Sequence, residues 1–211
     1  FRSGKSVLCN NMVLNDTMLR GLLDKWVIFS PTALQDNACK YLLEDDGVDV
    51  IDEYSDDYLR ALLDYQMETP KSERDTLGVI FDDSIQYLNK RSSVGNFLAT
   101  RFRHYNIKYL IYVSQSFRAL DTKVRSNSKQ VIIMKISNEK ELSKLTDELS
   151  GYCGGAKNFL KLYNYCLDDQ PFSFMTINID HNPPLVYLRL ERQIYPPLND
   201  KIKEEEEEKL E

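Results

Sequence analysis

The 211-residue chain is 42% hydrophobic and 28% charged, with a formal net charge of −6. This suits one sizeable folded domain and excludes a largely disordered chain. Eight Gly and seven Pro exclude collagen-like and Pro-rich classes, and no apolar run approaches the roughly 18–20 residues that a membrane-spanning helix needs. Charge is segregated. Residues 44–83 carry fourteen acids and three bases, residues 99–140 nine bases and two acids, and the tail 201–211 three bases and six acids. An acidic chain can therefore still present one basic face to a phosphate backbone, although solvated helix faces produce the same blocks. Cys9, Cys39, Cys153 and Cys166 form no C-x-x-C pair, and His104 and His181 are the only histidines. A structural zinc site is not expected, and the scattered cysteines suit a reducing compartment.

In chain order, residues 6–14 read as a helix directly after Gly4, with Val7, Leu8, Met12 and Leu14 on one face. Residues 25–29 form a continuous apolar run that reads as a buried strand, broken by Ser30-Pro31. Residues 33–43 look helical, 49–51 suit a short strand, and Ser55 or Asp56 caps a helix that Pro70 stops. Residues 77–81 form a second buried strand followed at once by Asp82-Asp83. A helical stretch covers 85–105, a third strand 108–113 ends at Ser114-Gln115, and a fourth covers 130–136. Residues 139–149 form a polar helix, and 172–179 with 185–190 form a terminal antiparallel pair joined through Asn182-Pro183-Pro184. Short apolar strands alternating with helices point to an α/β fold with a mainly parallel sheet, which takes ligands at the carboxyl ends of its strands. The distinctive polar residues stand at those ends. One domain over 1–195 and an acidic tail over 196–211, disordered or an exposed helix, are expected.

Residues 1–6, Phe-Arg-Ser-Gly-Lys-Ser, match the last part of G-x-x-x-x-G-K-[ST]. Backbone N–H groups of Arg2, Ser3, Gly4, Lys5, Ser6 and Val7 would wrap phosphate oxygens. The following helix would aim its positive end at them, Lys5 would reach the β- and γ-phosphates, and the Ser6 hydroxyl would ligate Mg²⁺. The chain enters inside this motif, so the first glycine and its strand are expected upstream. Asp82 and Asp83 follow a strand as a second acidic motif requires, one acid to hold the metal's water shell and its neighbour to orient the attacking water. An ordinary acidic turn after a buried strand has the same composition. Gln115, ending the next strand, can hydrogen-bond the γ-phosphate or the water, or simply satisfy strand-end backbone. Arg101 and Arg103 are candidates for an arginine finger acting on a neighbouring subunit's site, with Arg103 preferred. Arg118, Lys123, Arg125 and Lys129 face DNA phosphates, an adjacent nucleotide or solvent. Trp26, Phe29, Phe81 and Phe97 read as core rather than base-stacking residues, and His104 as a helix-end residue.

Arg-Ser-Gly-Lys-Ser at 2–6, Ile-Phe-Asp-Asp at 80–83, Arg-Phe-Arg-His-Tyr at 101–105, Ser-Gln at 114–115 and the stretch 121–127 together resemble the poxvirus-type DNA-packaging ATPase of nucleocytoplasmic large DNA viruses. That family lies within the FtsK–HerA branch of P-loop motors. The resemblance covers most of residues 1–136 and departs from many relatives in carrying Asp-Asp rather than Asp-Glu. It implies a RecA-like P-loop core whose first strand precedes this chain. It implies an ATP- and Mg²⁺-dependent homo-oligomeric ring that pumps double-stranded DNA into a capsid, with a capsid or portal-site partner. It places the protein in host-cell cytoplasm or virion, without an integral membrane segment. A cellular or plasmid translocase or helicase of the same branch, and a nucleotide-dependent scaffold or switch without turnover, are the competing expectations.

Overall fold

The computed structural model describes residues 4–84, 88 and 93–196, and the chain divides between Asn127 and Ser128 into two compact units. In the first unit α1 (Lys5–Leu14) precedes β1 (Lys25–Phe29), α2 (Lys40–Leu43), β2 (Val48–Ile51), α3 (Asp56–Glu68), β3 (Leu77–Asp82), α4 (Val94–Arg101), β4 (Ile107–Val113) and the short α5 (Thr122–Asn127). The strands form a four-stranded parallel sheet in the order β2-β1-β3-β4. β1 is buried except at Lys25, and β3 is buried throughout. Continuous apolar runs are what a parallel strand needs when helices cover both faces.

Alternation along the strands sorts the core. Val27, Phe29, Val79 and Phe81 face a cluster with Leu59 and Leu63 of α3 and Val94 and Leu98 of α4. Trp26, Ile28 and Ile80 face the other cluster, with Val13 of α1 and Leu42 of α2. The Phe29 and Phe81 rings stack at 5.3 Å and Phe81 and Tyr112 at 5.1 Å, so one aromatic row ties three adjacent strands together. Gly78 is required between them: a Cβ there would run into the Trp26 ring and Leu23.

The register sets the site. Phe29 pairs with Phe81, Phe81 with Tyr112 and Asp82 with Val113. Ser30, Asp82-Asp83 and Ser114-Gln115 therefore all fall at the carboxyl edge of the sheet.

Several local expectations change. The buried face of α1 is Asn10 and Val13, with Cys9 and Leu14 packed beside them, while Val7 is 52% exposed. The helix expected over 33–43 reduces to a turn, a 3₁₀ turn Asn37–Cys39 and the four residues of α2. Ser55 is the cap of α3, its hydroxyl accepting from the Tyr58 N–H at 3.2 Å. Of the stretch expected to be helical over 85–105, α4 and a 3₁₀ turn Phe102–Tyr105 are observed; residues 85–87 and 89–92 lie outside the described residues.

The second unit contains β5 (Gln130–Ile133), α6 (Glu139–Leu149), α7 (Ala156–Asp168), β6 (Met175–Asn178), β7 (Leu185–Leu188) and β8 (Arg192–Tyr195). Its strands form a separate four-stranded sheet, β5-β6-β7-β8, antiparallel throughout. The expected antiparallel pair is there as β6 and β7. The strand expected over 130–136 is not the fourth strand of the parallel sheet: β5 pairs antiparallel with β6. Leu145 and Leu149 of α6 and Phe159, Leu162, Tyr163 and Cys166 of α7 are buried. Residues 197–211, most of the expected acidic tail, lie outside the described residues. Among the described residues no helix is long and apolar enough to cross a membrane.

Candidate functional site

Gly4 sits at φ 86° and ψ 5°, a left-handed backbone that glycine adopts without a Cβ clash, and α1 begins at the next residue. Its carbonyl accepts the Leu8 N–H at 2.9 Å. A glycine at this position has no side chain to cap the first-turn N–H groups, so an anion is a natural partner for them. Lys5 and Ser6 occupy that first turn and are half-buried. Arg2 and Ser3 lie outside the described residues.

Across the carboxyl edge, Asp82 is 8% exposed and its Oδ2 accepts a hydrogen bond from Ser30 Oγ at 3.2 Å. Burial raises the Asp82 carboxyl above its ordinary range and the adjacent Asp83 raises it further, whereas the Ser30 hydrogen bond and the Lys5 charge pull it back. Lys5 thus lies within electrostatic reach of Asp82. The same neighbourhood includes Cys9. Burial pushes its thiol up to about 12, the Asp82 charge adds to this, and Lys5 opposes it. Asn10 is buried and its Nδ2 donates to Cys39 Sγ at 3.8 Å, seating α1 against the turn that follows β1.

Asp83 takes a left-handed φ of 48°, uncommon for a residue with a Cβ. The turn is held by Ser84, 1% exposed, whose hydroxyl lies 3.1 Å from the Asp82 carbonyl and 3.3 Å from the Phe29 carbonyl as a shared donor. Gln115 Nε2 faces the Asp83 carboxylate at 3.5 Å from each oxygen. Lys5, Asp82, Asp83 and Gln115 are thereby connected. Ser30, Thr32 and Ser84 were not singled out by sequence; the only signal for them is a hydroxyl at a strand end.

The donor set fits a nucleotide-bound Mg²⁺. Such an ion keeps water and takes one or two carboxylates together with phosphate oxygens, and a buried carboxylate with a nearby lysine and a helix-start serine supplies the protein share. Among the described residues no group of three or more His, Cys, Asp and Glu is gathered to hold a metal; a phosphate-shared ion does not need one.

The candidate arginines stand elsewhere. Arg101 ends α4, stacked over the Phe97 ring at 4.9 Å, and Arg103 lies over Phe102 at 5.5 Å. Both precede β4, and Asn106 carbonyl accepts the N–H of Leu77, the first residue of β3. They therefore flank the amino edge of the parallel sheet, opposite the carboxylates. Phe97, expected in the core, is 39% exposed, its place being the outer side of α4 under the Arg101 guanidinium. Arg118 and Lys123 are exposed beyond Gln115, and Arg125 lies over Phe117 at 5.8 Å. Lys129 belongs to the second unit, where it pairs with Asp180.

No family model, no curated protein and no solved structure matches this chain.

Proposed function

We propose that the protein is an ATP-hydrolysing motor that moves double-stranded DNA, acting in packaging of a viral genome. The observation that carries the reading is the convergence near one sheet edge of Lys5, Asp82, Asp83 and Gln115, four residues singled out for one reaction from three separate motifs. In this reading the fold is a RecA-like P-loop core. Asp82 ends β3 and Gln115 follows β4, adjacent parallel strands of that core.

Lys5 and the α1 N–H groups would hold the β- and γ-phosphates of ATP, and Ser6 and Asp82 would hold Mg²⁺. The ion, when bound, neutralises charge on the phosphate oxygens. Asp83 accepts a proton from the water that attacks the γ-phosphorus as the bond to the ADP oxygen breaks, giving ADP and phosphate. Gln115 orients Asp83 and that water. Arg101 or Arg103 reaches a neighbouring subunit's nucleotide, since its own carboxylates lie at the other edge of the sheet.

The test is phosphate release from ATP, with and without double-stranded DNA. Stimulation by DNA, lost in Lys5→Ala and weakening steeply with salt, is the expected result. Nucleotide binding without turnover under either condition would instead support a nucleotide-dependent scaffold or switch.

A further inference from the structure

The residue after β1 does more than end a strand. Ser30 is 2% exposed, its N–H donates to the Ile51 carbonyl of β2 at 2.9 Å, and its hydroxyl donates to Asp82 Oδ2. The backbone ladder thus fixes where the hydroxyl stands. A second hydroxyl, Thr32 Oγ1, lies 3.5 Å from Ser30 Oγ. A hydroxyl has one proton to give. With the Ser30 proton committed to the carboxylate, Thr32 must be the donor in the second contact. The order is Thr32 to Ser30 to Asp82, a short relay running from an exposed residue to a buried acid. Ser84 adds a second tie between the same two strands, through the Phe29 carbonyl. Asp82 Oδ2 is engaged by Ser30, and Oδ1 is the oxygen outside that bond.

We propose that Ser30 is a positioning residue for the divalent cation: it fixes the Asp82 carboxylate in one orientation so that Oδ1 is presented to the metal, and Thr32 orients Ser30 in turn. This rests on the nucleotide-binding reading above. A carboxylate left without its hydrogen bond loses that fixed orientation, and removal of such supporting partners typically lowers metal affinity about ten- to hundredfold.

The experiment is Mg²⁺ titration of the binding of mant-ATP, a fluorescent ATP analogue, to the protein, read together with thermal melting. In Ser30→Ala the Mg²⁺ midpoint rises about tenfold or more, while mant-ATP affinity at saturating Mg²⁺ stays close to wild type. Ser30→Thr, which keeps the hydroxyl, restores the midpoint. Thr32→Val, at an exposed position, raises it by a smaller step and decides the matter if Ser30→Ala does not fold. A lowered melting temperature with an unmoved midpoint in Ser30→Ala and Thr32→Val would overturn the proposal and leave Ser30 a structural residue. Equal shifts in Ser30→Ala and Ser30→Thr would overturn it too. Absence of mant-ATP binding by the wild-type protein would overturn the nucleotide reading, and this inference with it.

Discussion

Gln115 Nε2 stands 3.5 Å from each of the two carboxylate oxygens of Asp83. The distance is long for a hydrogen bond, and the symmetry places the amide in front of the carboxylate rather than beside one oxygen. Gaps of this kind are common before substrate arrives and close in the reacting complex. Asp83→Asn should lower ATP turnover by about 10²-fold or more while mant-ATP binding changes little, because in the proposed mechanism that carboxylate accepts the proton and does not hold phosphate. Gln115→Ala should lower turnover less. Gln115→Glu should be worse than alanine, since it sets a like charge against Asp83. Steady-state phosphate release alongside nucleotide binding checks all three, and unchanged turnover in Asp83→Asn would remove Asp83 from the mechanism.

Much of this edge was legible in the sequence because parallel strands advertise themselves. The apolar runs at 25–29, 77–81 and 108–113 each end in polar residues, and those ends became the site. The polar helix over 139–149 is α6, and the structure adds its cap, the Asn138 side chain accepting from the Lys140 N–H. What was missed depends on pairing across distance. Ser30 and Asp82 are 52 residues apart, so no local spacing announces their hydrogen bond. β5 is a short apolar run that suits either sheet, and only its pairing with β6 tells which. α7 has no counterpart among the elements expected from sequence. Phe159, Leu162, Tyr163 and Cys166 nevertheless stand at helical spacing and are its buried face. Phe97 went the other way: an aromatic on a helix was assigned to the core, whereas its ring supports a surface guanidinium.

The start of α4 is held by a clasp from Tyr54, in the loop before α3, and Asp56, the first residue of α3. Asp56 Oδ1 accepts the Val94 N–H at 2.9 Å and the Tyr54 hydroxyl, while that hydroxyl accepts the Gly95 N–H at 2.9 Å. Tyr112 closes the set by donating to the Gly95 carbonyl at 2.6 Å. Tyr54→Phe leaves the buried Gly95 N–H without this acceptor and should cost about 1–3 kcal/mol. Asp56→Ala should cost a comparable amount, and the double variant should cost less than the two added together, because both break one network. Urea unfolding of the four proteins measures this, and strict additivity would show that the clasp does not act as a unit.

The four thiols are shielded rather than activated. Burial pushes Cys9 and Cys166 up to about 12 and Cys153 up to about 11, and raises Cys39 from its ordinary 9.0. At pH 8 the native protein should react with iodoacetamide at least about tenfold more slowly than the urea-unfolded chain. The same shift has a sign in stability. Unfolded thiols begin to lose protons near 9.0 while the native ones hold theirs, so above that value the unfolded state binds fewer protons. Their contribution is complete below pH 9 and declines as pH rises toward about 12. Cys166→Ala should flatten the fall in stability between pH 9 and pH 11 relative to wild type, even if it lowers stability throughout. An unchanged slope would mean that the thiol ionises as freely in the native protein as in the unfolded chain.

Arg101 and Arg103 flank the amino edge of the parallel sheet, and Asp82 and Asp83 its carboxyl edge. With about 3.3 Å per strand residue, the six residues of β3 hold the two edges nearly 20 Å apart. An arginine side chain does not bridge that span, so catalysis by either arginine requires a second copy of the chain. Arg103→Ala should therefore lower turnover by about 10³-fold with its own nucleotide site intact, as mant-ATP binding would show. Lys5→Ala removes the site but keeps the arginine. Mixing the two inactive proteins should restore activity at sites that combine an intact Lys5 from one subunit with an intact Arg103 from the next. Arg101→Ala mixed in the same way separates the two candidates. If neither mixture recovers activity at any ratio while both variants still assemble with wild type, neither arginine acts across a subunit boundary, and the guanidinium stacks on Phe97 and Phe102 are surface packing alone.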